Sequence, residues 1–79
     1  MESKQEQIRI AEEAKSLLEN PVFKMACEKF ASQQLVTILG TPPGDLTSQA
    51  ACARMQAIEG IKEELQVLVN NGLMAQKAR

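Results

Sequence analysis

Gly40-Thr41-Pro42-Pro43-Gly44-Asp45 decides how this chain folds, because no helix can run through it. A glycine ends one helix, two prolines cannot continue it, and a second glycine turns the backbone. The stretches on either side have apolar residues at helical spacing. The loop therefore reads as the turn of a long antiparallel helical hairpin, and the chain as all-α.

The helix before the loop is predicted over 21–39. Phe23, Ala26, Cys27, Phe30, Ala31 and Ile38 form one stripe, and Met25, Leu35, Val36 and Leu39 fall on the opposite side. Its last stretch, Leu35-Val36-Thr37-Ile38-Leu39, is apolar nearly all round, and such a helix must be covered on two faces. Leu35, Val36 and Leu39 are accordingly the expected anchors of an interface, with Met25 beside them.

The helix after the loop is predicted over 47–70, capped by Asp45 or Thr47. Ala51, Met55, Ile58, Ile61, Leu65, Leu68 and Val69 keep a spacing of three and four. Asn70-Asn71-Gly72 reads as the stop signal, with 73–79 a fraying tail. Gly60 stands inside this helix at a cost of roughly 1 kcal/mol relative to alanine. It lines up with Ala53 and Val67 at seven-residue spacing on the back of the helix. The plain reading is a tolerated surface glycine. The sharper one is a seam of small residues that another helix, from this chain or a second copy, approaches closely.

A further helix is predicted upstream, over 4–19. Ile8, Ile10, Ala11, Ala14, Leu17 and Leu18 occupy about half of its circumference, with Arg9, Glu12, Glu13 and Glu19 opposite. Ser3 and Glu6 fit a capping box at its start. It ends at Asn20-Pro21, where proline disfavours helix in the residue before it yet suits the first turn of a new one. A break or sharp kink is expected at 19–21. This first helix packs across the hairpin or reaches to a neighbour.

The 79 residues allow one domain, 1–79, and one this small gains stability from metal, disulfides or oligomerisation. Aromatic residues are 3% of the chain, Phe23 and Phe30 alone, so aliphatic side chains and alanine must build the core. The formal charge of −1 argues against a general nucleic-acid binder. No apolar run approaches the ~20 residues of a membrane span, and the opening residues carry no signal-peptide pattern. A cytoplasmic location is expected, with no membrane partner.

Cys27 and Cys52 form no C-x-x-C pair, and the chain has no histidine, so a structural zinc site is not expected. In a hairpin turning near residues 43–44, facing residues sum to about 87, which separates the two thiols by on the order of 12 Å along the helices. A disulfide needs Cα atoms within roughly 7 Å, so both cysteines read as small hydrophobes.

Chemistry finds little to work with. Without histidine or tyrosine, and with no base beside either cysteine, nucleophilic triads are excluded by residue type. Glu59 and Glu63 share a helix face, but Lys62 lies between them and no further oxygen ligands are at hand, so they read as a solvated face. The glycines make no phosphate-binding motif. No catalytic, metal or cofactor site is expected.

Leu17-Leu18-Glu19-Asn20-Pro21-Val22-Phe23, and the run from Asp45-Leu46-Thr47 through Leu65 and Val69 to Asn71-Gly72-Leu73-Met74-Ala75, are similar to short all-helical proteins of tailed bacteriophages encoded near packaging and virion genes. The chain departs from them at Ser32, Gln33 and Val36, where aromatic residues would be expected. The resemblance implies a viral source, an assembly or accessory role and another viral protein as a partner. It carries over no functional residues. Residues and resemblance together point to a non-catalytic, self-associating interaction protein, with Met25, Leu35, Val36, Leu39, Ala53, Gly60 and Val67 as its interface. A small regulatory protein that contacts nucleic acid is the alternative.

Overall fold

The computed structural model describes residues 3–77 and contains three α-helices, with no strand among those residues. They are α1 (Lys4–Glu19), α2 (Pro21–Leu39) and α3 (Leu46–Lys77). The Ser3 hydroxyl accepts from the Glu6 amide at 3.2 Å, capping α1 as its sequence predicts. Glu6 does not complete the box, since its carboxylate faces Arg9 instead.

The break between α1 and α2 is one residue wide. Asn20 leaves helical geometry (φ −67°, ψ 124°), as the residue before a proline should. Its amide donates to the Leu17 carbonyl at 3.1 Å, while its Oδ1 accepts from the amides of Val22 and Phe23 at 2.8 and 3.0 Å. One side chain thus closes the start of α2 while the same residue's backbone closes the end of α1. Asn20→Ala should cost about 1–2 kcal/mol, read as a lower denaturation midpoint at unchanged native helicity.

Gly40 caps the end of α2 and Gly44 turns the backbone, as expected. Gly40 stays in the right-handed region, and among the described residues Gly44 alone has a positive φ, 85°. Asp45 is the cap of α3, its Oδ1 accepting from the Thr47 amide at 2.8 Å.

α3 then returns along both preceding helices. Ala11 of α1 meets Gly72, and Arg54 donates to Gln34 of α2 at 3.5 Å, so numbers fall along α3 as they rise along α1 and α2. Positions 34 and 54 sum to 88, close to the register expected of the hairpin. The molecule is therefore a hairpin of one long helix against two shorter ones in series. The 32 residues of α3 span about 48 Å, and the whole measures 54 × 25 × 16 Å.

Two expectations about α3 need correction. It does not stop at 70 but runs to Lys77, so Asn70-Asn71-Gly72 lies within it. Only 78 and 79 of the expected tail lie outside the described residues. Glycine can mark a helix end or a close approach, and here it is the second: a Cβ at position 72 would collide with that of Ala11 and sit 3.1 Å from the Gln7 carbonyl. α1 covers the extra turns, burying Ala75 as well as Gly72. The close seam is therefore at Gly72. At Gly60 an added Cβ meets nothing within 4 Å, so no other helix of this chain approaches there.

Candidate interaction surface

The line of α3 along which the hairpin closes follows 51, 55, 58, 62, 65, 69 and 72, an alternation of four and three. That is the 3.5-residue repeat of helices winding about one another. Ala51 and Gly72 are buried on it, and Met55, Ile58, Lys62, Leu65 and Val69 are half-buried. Lys62 thus takes the place expected for Ile61, lining a groove with Leu18, Phe23 and Cys27, while Ile61 remains 54% exposed. The facing line runs through Ala11, Ala14, Leu18, Phe23, Cys27, Phe30 and Gln34. Ala26, expected in this stripe, lies just off it and is exposed. Buried Gln34 stands where i+4 from Phe30 and i+7 from Cys27 coincide, a signal that sequence reasoning passed over because the residue is polar.

What these lines enclose is small. The buried apolar residues are Ala11, Ala14, Ala51 and Ala75, and among the described residues no large side chain is fully buried. Alanine and glycine let the helices come close but provide little apolar area. Eleven large apolar side chains are exposed instead, counted among the described residues.

Of these, Leu17, Val22 and Ile61 lie on one broad face of the hairpin, and most of the others lie along its outer edges. At 100° per residue, the residue just before each seam position points to one broad face of the hairpin and the residue just after it to the other. The preceding residues include Ile10, Leu17, Val22 and Ala26 on one arm, and Ala50, Ala57, Ile61 and Leu68 on α3. Ile10, Leu17, Leu65 and Leu68 line one shallow groove on that side, with Glu13 at its rim. The following residues include Glu12, Lys15, Glu19, Lys24 and Glu28, and on α3 Gln56, Glu59, Glu63 and Gln66. The groove on that side holds Lys15, Glu19 and Gln66 beside Leu18, Val69 and Leu73. One broad face is the more apolar, interrupted at Glu13, Lys29, Gln33, Arg54, Glu64 and Asn71, and the other is mostly charged or polar, with Ala31, Leu35, Cys52 and Leu73 among it.

Most of the residues predicted as interface lie along the outer edges. Val36 and Leu39 are 70% and 77% exposed on the side of α2 away from α3, with Met25 also open there, while Leu35, just after Gln34, turns towards the charged face. Ala53, Gly60 and Val67 lie on the outer side of α3, where Leu46 and Met74 extend the same seven-residue spacing. The two edges are on opposite sides of the hairpin, so the predicted set is not one patch.

The charged side chains show no assembled chemistry. Lys62 Nζ lies 3.7 Å from Glu59 Oε1, and Arg9 sits between Glu6 and Glu13 at 3.8 and 3.2 Å, all as exposed pairs within one helix. Such pairs contribute little to stability. Among the described residues no group of three or more His, Cys, Asp or Glu could hold a metal. Cys27 and Cys52 are free thiols. No described helix is long and apolar enough to cross a membrane.

By its architecture the chain is an all-α helical hairpin of one long helix against two shorter ones. No protein-family model, curated protein or solved structure matches it.

Proposed function

We propose that this chain is a non-catalytic protein that acts by associating with copies of itself, as an assembly or accessory component. The imbalance between the alanine-built interior and the eleven exposed large apolar side chains, counted among the described residues, carries this reading. A domain ordinarily buries its apolar side against a second layer, and this hairpin has only one. The composition agrees, lacking the histidine and tyrosine that most acid–base and nucleophilic sites employ. The setting in a tailed phage rests on the sequence resemblance alone.

Self-association makes stability depend on protein concentration. The thermal midpoint, followed by far-ultraviolet circular dichroism, should rise by roughly 3–5 °C for each tenfold increase in concentration, given about 0.7 kcal/mol of unfolding enthalpy per residue across two chains. A cooperative melt with the same midpoint across a hundredfold range would end the proposal.

A further inference from the structure

We infer that a second copy of this chain docks on the apolar broad face, and that the outer edges of α2 and α3 stay outside the contact. This rests on the self-association proposed above and names its seat. Area argues for it first. The chain exposes 5995 Å², whereas a compact monomer of 8.7 kDa exposes about 4,700 Å², an excess of about 1,300 Å². A stable dimer of standard size covers about 800 Å² on each partner, so one copy of the same face is enough to absorb most of that excess.

Shape and pattern choose the face. A two-fold contact needs one surface that fits itself. The edges each offer a single helix. The broad face offers two helices side by side, with the larger Ile10, Leu17, Ile61 and Leu68 set among the small Ala26, Ala50 and Ala57, so that ridges of one copy have hollows to enter in the other. Stacked on its like, it gives a four-helix bundle with the charged faces outward, the second layer that a single copy lacks. Ile61 marks the spot. A helix with that residue in its own seam would not leave it open, and the 3.5-residue line of α3 turns it onto the broad face, one heptad before Leu68.

The test combines mass in solution with a photoreactive phenylalanine placed in turn at positions 61, 63 and 39, in the full chain. Light scattering should give a two-chain mass for the unaltered protein and a one-chain mass for Ile61→Glu, with Leu39→Glu still two-chain. Should Ile61→Glu unfold, the photoproduct decides: illumination should give a two-chain band from position 61 and none from 63 or 39. A two-chain mass with the band arising from 39 or 63, or from all three, overturns the broad face while leaving self-association standing. A one-chain mass for the unaltered, cooperatively folded protein overturns both.

Discussion

Gly72→Ala is expected to destabilise the protein by about 1–3 kcal/mol, while Gly60→Ala is expected to stabilise it by up to about 1 kcal/mol. The same substitution in the same helix takes opposite signs. In both places alanine gains the helix propensity that glycine lacks, about 1 kcal/mol. At Gly60 nothing opposes that gain, because the added methyl points into open space. At Gly72 the methyl meets the Ala11 side chain and the backbone of α1, which must move away along its length. Neither obstacle is the far end of a flexible side chain, so the strain falls on the contact between two helices. Chemical denaturation of both variants at one protein concentration measures the difference. If Gly72→Ala proves as stabilising as Gly60→Ala, the close approach of α1 to α3 is not as described.

A comparable loss, about 1–3 kcal/mol, is expected of Ala51→Leu. Ala51 has no exposed surface, yet its side chain is a single methyl, so the space around it is filled by the neighbouring helix. Three added carbon atoms cannot be accommodated without parting α3 from α2 near the loop. Leucine would gain burial if the helices were loosely packed there, and a raised midpoint would reveal such slack. Ala53→Leu, two residues on and exposed, serves as the control and should stay within about 0.5 kcal/mol.

The helices themselves were legible because their signals are local. Asn20-Pro21, Ser3 with Glu6, and Asp45 each fix a helix end through bonds made within three residues. Where the reading went astray, the deciding atoms lie far off in the chain. Gly72 looks like a stop to any local rule, and only the presence of Ala11 above it shows why glycine stands there and the helix continues. Ile61 reads as a seam residue because it is apolar, yet at about 100° per residue from Ala51 it falls about 80° off the line and Lys62 only about 20° off. Lys62 can stand there because its long aliphatic stem lies along the groove while its charge reaches Glu59. Leu39 and Val67 read as one interface in the sequence yet lie on opposite edges, since placing one helix beside the other requires the register between them.

The single residue joining α1 to α2 also sets how the N-terminal helix is aimed. Each residue added to a helix advances it by about 1.5 Å and turns it by about 100°. An insertion beside Asn20 would swing Ala11 and Ala14 away from Gly72 and bring Glu12 towards it, a swap of methyl for charge over the narrowest point between two backbones. Length variation in this chain should therefore be tolerated in the Thr41–Asp45 loop and refused at the hinge, where one peptide unit keeps the whole N-terminal helix in phase.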